Sequence, residues 1–539
     1  MKNRPLISQV NVVLSLILLS ALVMLAATAH GATPKHGGTF IFAVEGEQAN
    51  LNPFLISTSD VVPIQVNLFS TLLTQDLKSN FVPSLAESYS VSGDGLTYTF
   101  HLVKNATWHD GKPFTSADVV YTLRDLYPQN PRTGTWWKPN VNVVVEAPDN
   151  LTVVLKLKQP YAPLLDLIAY PTGGPSILPK HLYEGTDMKK NPYNSKPIGT
   201  GPFMFKEWVK GSHIELVRNP NYFASGKEGK PYVDRVVFRL IPDPAGRMLA
   251  LKKGDVDFVP YNAVPFEEVP ELRKDPNLVI DTRGAGGATI KYLFINLRNP
   301  PVSNKMVRQA IAYAIDKRKI VDLVLLGEGK AAKSIVNSVT EWAFNPKVPD
   351  YPFNLEKANA LLDKAGYPKG ASGIRFKTRL LCVGGRGSDI MIAEVMRDQL
   401  KQVGIDAQIM STDRASFSDA LFMRWDFDLA IQQAATAPDP MVGLTRLLHS
   451  KNIVKAALTN SAGFSNAEVD KLLDEEYKQV SKEKRAAMWY RIQEIVMDEL
   501  PYFPIYEQPV LNVHRAVWID AITSLYGHNQ SRENAYLKK

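Results

Sequence analysis

The chain has one cysteine, Cys382, in 539 residues, which excludes an internal disulfide framework. Its formal charge of +8 comes without any cluster of lysine and arginine interleaved with aromatics, so no nucleic-acid surface is expected. The nine histidines are scattered, with no H-E-x-x-H and no pair at metal spacing, which argues against a catalytic zinc site. No G-x-S-x-G elbow occurs, and no histidine lies near Cys382 in sequence to activate it as a nucleophile. The glycine-rich GAGGATIK at 284–291 lacks the Gly-Lys-Ser/Thr ending of a phosphate loop and precedes a strand instead of opening a helix, so it is read as a flexible crossover. In WHDG at 108–111, His109 beside Asp110 resembles an acid/base pair, but a hairpin turn needs the same Asp-Gly, and the structural reading is preferred. Asp255 and Asp257 alternate along an extended segment as solvated or capping groups, not as a matched acid and base. Internal repeats and low-complexity linkers are also missing.

What is present begins with an export signal. Lys2 and Arg4 form a basic start, residues 10–27 are nearly all apolar, and Ala27-Thr-Ala29 is a small-residue cleavage site. Cleavage is placed between Ala29 and Thr33, with a retained membrane anchor as the alternative. No cysteine stands at that site to carry a lipid. An exported chain without disulfides suits a bacterial periplasm, and loss of Lys2 and Arg4 leaves it mildly basic.

The length requires two or three domains. After a Gly93-Asp-Gly95 turn, Leu96, Tyr98, Phe100 and Leu102 alternate with polar residues, as in a half-buried strand. Thr115 to Asp118 is a capping box opening the helix DVVYTLRDL, and β-branched runs around Ala147-Pro-Asp-Asn150 form a hairpin. From about residue 300 helices and strands alternate. Ser303 or Asn304 caps a helix with Val307, Ala310, Ile311, Ala314 and Ile315 on its apolar face. Further helices follow in LEKANALLDKAGYP, IMIAEVMRDQLKQVG and KRAAMWYRIQEIVMDEL, and Ser465 to Asn466, Ala467 and Glu468 boxes the start of another. IDAQIMS is a strand, and FDLAIQQAATAPDP starts as a buried strand and ends as a turn. A β-rich first half and an α/β second half suggest separate lobes.

Several linked stretches, HGGTFIFAVEGEQANLNP, PSLAESYSVSGDGLTYTFHLVKNATWHDGKPFTSADVVYTL, PIGTGPFMFKEW with LVRNPNYF, YVDRVVFRLIPD, ALKKGDVDF and VRQAIAYAIDKRKIV, occur in one order. Together they resemble the peptide/nickel (dipeptide- and oligopeptide-binding, family 5) class of solute-binding proteins that serve ABC importers. The resemblance runs from about Gly37 to Tyr506. It implies an α/β, two-lobed periplasmic-binding-protein fold (type II, large cluster) with an extra β-rich domain on lobe one. Lobe one is expected at 33–281, with the extra domain at about 72–183; lobe two at 282–499; and the return to lobe one at 500–539. Two crossovers then act as a hinge.

The resemblance also implies a site. In peptide-binding relatives an aspartate a few residues before Asp-Pro grips the ligand's ammonium group; here that position is Thr436, and a register one or two residues off makes Asp439 the anchor. Gln432, Gln433 and Ala434 precede it in an uncharged run. Arg386 matches the arginine that meets a carboxylate in some relatives, with a solvated loop arginine as the alternative. Glu45, Gly46, Glu47 and Gln48 are expected on the other lip, and Trp425 as core or pocket wall. No cofactor or metal is expected; nickel chelates and haem are disfavoured because 432–444 holds no histidine. The implied partners are a peptide or peptide-sized solute and the permease subunits, with no nucleic acid and a monomeric state. Oligosaccharides, opines or other organic acids are alternative ligands, and a secreted hydrolase is the alternative class.

Overall fold

The alternation around residue 100 builds the strand Thr97–Leu102, in which Tyr98, Phe100 and Leu102 are buried while their neighbours face outward. The computed structural model that shows this describes residues 34–538 apart from 57, 59, 130–142, 170–174, 226–228, 285–288, 385–386 and 437–438. The export signal therefore lies outside the described residues, as does Arg386. Strand Thr97–Leu102 pairs with Ala86–Val91 on one side and Thr152–Lys156 on the other, and Val144–Asp149 completes a four-stranded antiparallel sheet. Thr115 and Asp118 make both bonds of the capping box that starts Ser116–Val120. The sheet and helix enclose their own core around Phe100, Trp108, Phe114 and Leu164.

A seven-stranded sheet runs Leu278–Asp281, Asn512–Arg515, Phe258–Val259, Thr39–Val44, Arg235–Leu240, His213–Arg218, Phe203–Val209. A six-stranded sheet runs Lys330–Ala331, Tyr502–Glu507, Thr289–Ile295, Leu429–Ala435, Phe376–Val383, Ile405–Thr412. Helices cover this second sheet because their stripes are apolar at helical spacing; Val307, Ala310, Ile311 and Ala314 are fully covered. Asn304 caps that helix by accepting from Met306 N. At the later helix Ala467–Glu476 the cap is Asn466, not Ser465, since its carboxamide accepts from Glu468 N and Val469 N.

The two large sheets are joined where Asp281 ends one strand and Thr289 begins another, and again between Glu507 and Asn512. The return differs from the expected Leu500: Tyr502–Glu507 pairs antiparallel with Thr289–Ile295 inside the second sheet, and only Asn512–Arg515 joins the first. The apolar run YFPIYEQPVLNV suits both sheets, so cross-strand pairing decides where it divides. At the first crossover Gly284, at φ +72°, meets Gly527 so closely that a Cβ there falls 2.3 Å from Gly527 Cα. The C-terminal segment is tied back by Arg532, fully buried over the rings of Phe40, Phe42 and Phe258 and bonded to Ala521 O and His528 O.

Candidate functional site

Backbone direction locates the site. Thr39–Val44 runs parallel to Arg235–Leu240 and Phe258–Val259, and Phe376–Val383 runs parallel to Ile405–Thr412 and Leu429–Ala435. Loops diverge beyond the carboxyl ends of parallel strands, and open α/β sheets take ligands there. In the first sheet that end carries Glu45 to Gln48; in the second it carries Gly384 and Thr436. Both ends lie at the crossovers, because Thr289 pairs with Ala435 and Asp281 with Asn512. The candidate residues of the two lobes are thus brought to the same level of the molecule, with Glu47, Gln48, Asp439 and Trp425 turned to other uses.

On the first lobe, Glu45 Oε1 lies 2.7 Å from Arg247 Nη2. Arg247 is 2 % exposed and is fixed by donating also to the carbonyls of Ile241 and Pro242. Asp60 accepts from the backbone N–H groups of Glu45 and Gly46. Burial pushes the carboxyls of both Glu45 and Asp60 up, and Arg247 pulls each partly back. Glu47 is engaged within its own lobe: it accepts from Trp208 Nε1 at 2.9 Å and Gly211 N at 2.6 Å, pinning the tip of the hairpin 203–218. Gln48 is buried and donates to Gly46 O at 2.7 Å, a local turn bond.

On the second lobe, Gln432, Gln433 and Ala434 lie in the strand Leu429–Ala435, with Gln433 opposite Lys291 and Gln432 opposite Tyr292. Gln432 Oε1 accepts from Gln433 N at 2.9 Å, and Ala434 is buried. Thr436, just past the strand, is 1 % exposed. Asp439 is engaged elsewhere: it caps the helix Pro440–Leu448 through Met441 N at 2.9 Å and pairs with Arg485 Nη2 at 2.5 Å. A carboxylate so occupied is not an open ammonium anchor, which overturns the shifted register. Trp425 is no wall of this site either. It precedes Leu429–Ala435, about 20 Å from that strand's carboxyl end, and is stacked under Arg298 at 4.0 Å.

Sequence reasoning missed the ion pair Lys291–Asp389, at 2.6 Å with side chains 4 % and 3 % exposed. Lys291 stands beside Gln433, and Asp389 is in the first turn of the helix Gly387–Gln402. A lysine inside the otherwise apolar TIKYLFI was the available signal. Asp60 and Arg247 carried no such mark. Among the described residues, Glu45 is thus paired with Arg247, with Asp60 beside them, and Lys291 with Asp389, while the 432–436 run is uncharged. Such a surface offers hydrogen bonds more readily than a single fixed charge.

The other chemistry-bearing clusters are structural. His109 accepts from Gly199 N through Nδ1 and bonds Gly201 O through Nε2, and burial pushes its imidazole down to about 4. Asp257 is buried, unlike the solvated group expected, and accepts from Ile41 N at 2.8 Å. Glu207, His213 and Glu215 place ligand atoms within 4.8 Å of one another. Lys206 at 3.1 Å and Arg235 at 3.4 Å already neutralise Glu215, so the cluster is not assigned a metal.

Comparison with known proteins gives one consistent result. Residues 80–455 match the family model described as bacterial extracellular solute-binding proteins, family 5 middle. The oligopeptide-binding protein AppA of Bacillus subtilis is 33 % identical over 503 residues, covering 88 % of this chain and 87 % of that protein. Heme-binding protein A of Haemophilus influenzae is 30 % identical, covering 88 % of both. The solved structure of the Bacillus subtilis AppA in complex with a nonapeptide superposes with a TM-score of 0.74 at 28 % identity, covering 94 % of this chain and 100 % of that one.

Proposed function

The chain belongs to the bacterial extracellular solute-binding proteins of family 5, and on that premise we propose that it captures a peptide or peptide-sized organic solute between its lobes for delivery to an ABC permease. The observation that carries the reading is the meeting of two sets of strand carboxyl ends at the crossovers, with Glu45 and Gly46 on one lobe and Gln432 to Thr436 on the other. A ligand touching both lobes favours the closed arrangement only by its differential affinity for it. Thr436 supplies no charge for a free amine, so blocked peptides, opine-like acids and sugar-derived solutes are the favoured ligands among peptide-sized ones. Arg386 is assigned to an anionic group of that ligand. Haem and nickel chelates are disfavoured, since residues 432–444 contain no histidine.

The protein in this reading is exported by its N-terminal signal, works as a periplasmic monomer, needs no cofactor and binds without turnover, in keeping with a family of binding proteins. Native mass spectrometry of the mature protein as purified, repeated after denaturation, tests it. A ladder of peptide masses supports a peptide carrier that tolerates Thr436, and a single non-peptide mass identifies the other branch and supplies a formula. Hydrolysis of an added peptide or glycoside library overturns the reading in favour of an enzyme.

A further inference from the structure

The four-stranded domain of the first lobe touches the second lobe directly, at the turn 477–481 that joins the helices Ala467–Glu476 and Lys482–Glu499. Ala162 N donates to Tyr477 O at 2.7 Å, Gln159 Nε2 donates to Tyr477 OH at 3.4 Å, and the Tyr161 and Tyr477 rings lie 6.3 Å apart. Val480 reaches the same edge: a Cβ at Gly95 would fall 3.4 Å from Val480 Cγ1 and 3.4 Å from Pro160 Cβ, so the turn 93–95, Pro160 and Val480 meet at one point. Leu157 N donates to Leu96 O at 2.8 Å and ties the two first-lobe segments together. Val442, on the helix Pro440–Leu448, packs with Tyr477 onto the domain's own apolar core.

We propose that these residues form a clasp between the lobes, with Tyr477 as a positioning residue outside the ligand run: the clasp is made on closure, parts on opening, and raises affinity for whatever solute the cleft takes. The chain passes between the two large sheets only at 281–289 and 507–512. None of the clasp residues lies in either crossover, so rotation of the lobes about the crossovers separates Tyr477 and Val480 from 159–162. The contact is one main-chain hydrogen bond, one tilted ring pair and a small apolar patch. Such a set biases an equilibrium without locking it.

The clasp is built onto the same rigid piece as the ligand run. Val442, which touches the domain, is followed by Gly443, where a Cβ would fall 2.2 Å from Ala435 O. Asp439, which caps that helix, pairs with Arg485 at 2.5 Å, and Arg485 pairs with Glu476 at 2.6 Å, directly before Tyr477. Residues 435–443 and 476–477 are therefore held together by buried contacts. A solute that fixes 432–436 against the first lobe places Val442 and Tyr477 for the domain. By linkage, a formed clasp strengthens the hold on that solute by the same factor.

The effect on affinity rests on the capture reading, but the clasp itself needs no ligand, so protein stripped of ligand by unfolding and refolding is the sample. Spin labels at Lys104→Cys in the four-stranded domain and Lys471→Cys in the second lobe, both exposed positions, report the interlobe distance by pulsed electron paramagnetic resonance; Cys382 is buried and stays in place. The parent is expected to populate a short distance, and Tyr477→Ala to lower the closed-to-open ratio by about fivefold, as expected for losing a ring pair. Tyr477→Phe, which keeps the ring and the main-chain bond, is expected to match the parent. Val480→Lys, at an exposed position that folding tolerates, is expected to open the protein as Tyr477→Ala does. A parent without the short distance, a distribution shared by the parent, Tyr477→Ala and Val480→Lys, or a Tyr477→Phe as open as Tyr477→Ala overturns the clasp. A failure to find ligand by mass spectrometry bears on the capture reading alone.

Discussion

Two residues three positions apart show how little a residue type says before its neighbours are known. Asp439 has the charge an ammonium anchor needs, yet Arg485 and the amide of Met441 occupy it. Thr436 stands where the resemblance puts the anchor, but a hydroxyl offers an ammonium only a neutral hydrogen bond, weaker than a charge-assisted one by about 1–2 kcal/mol. Thr436→Asp is therefore expected to tighten binding of free-amine peptides by about tenfold, read by calorimetry. No gain removes residue 436 from the ligand's amine end. In the same titrations Arg386→Ala is expected to weaken an anionic ligand by more than about tenfold, and unchanged affinity returns Arg386 to a solvated loop role.

Elements carry constraints that no single side chain expresses. The helix Pro440–Leu448 is seated on the end of the strand Leu429–Ala435 through Gly443, where a Cβ falls 2.2 Å from Ala435 O and 3.0 Å from the Thr436 carbonyl carbon. Backbone cannot yield there as a flexible side chain can, so Gly443→Ala pushes the helix off the strand. The expected cost is about 1–3 kcal/mol of stability, measured by denaturant unfolding. Because the displaced backbone is that of 435–436, ligand affinity is expected to fall as well. Full stability and affinity in the variant mean that the helix is not what holds this strand end. The hairpin 203–218 shows the opposite economy: Glu47, from another element, satisfies Trp208 Nε1 and Gly211 N at its tip, so a residue resembling a ligand contact proves to be a clamp.

At the scale of the molecule, the arrangement is two sheets joined by crossovers at 281–289 and 507–512, with Phe266 packed against the cores of both lobes. Few covalent links with a shared apolar contact favour rigid-body motion of the lobes about that edge. Small-angle X-ray scattering at constant pH is accordingly expected to give a smaller radius of gyration with saturating ligand than without. Identical scattering in both states means that capture does not proceed by closure.

The sequence by itself determined the class of elements and most of their limits. Alternation gave Thr97–Leu102, capping boxes and Asx caps gave the starts of Ser116–Val120 and Lys305–Ala314, and linked motifs gave the family. Those signals are local, because the backbone's own periodicity and its end groups impose them. What only tertiary structure decided is which charges meet. Lys291 with Asp389 and Glu45 with Arg247 are separated in sequence by 98 and 202 residues. No local pattern records such pairings, since an ion pair depends on distance and burial, and both are fixed only when the sheets and lobes are assembled. The division of YFPIYEQPVLNV between two sheets had the same cause: each half satisfies strand propensity, and hydrogen-bonding partners far away in sequence chose between them.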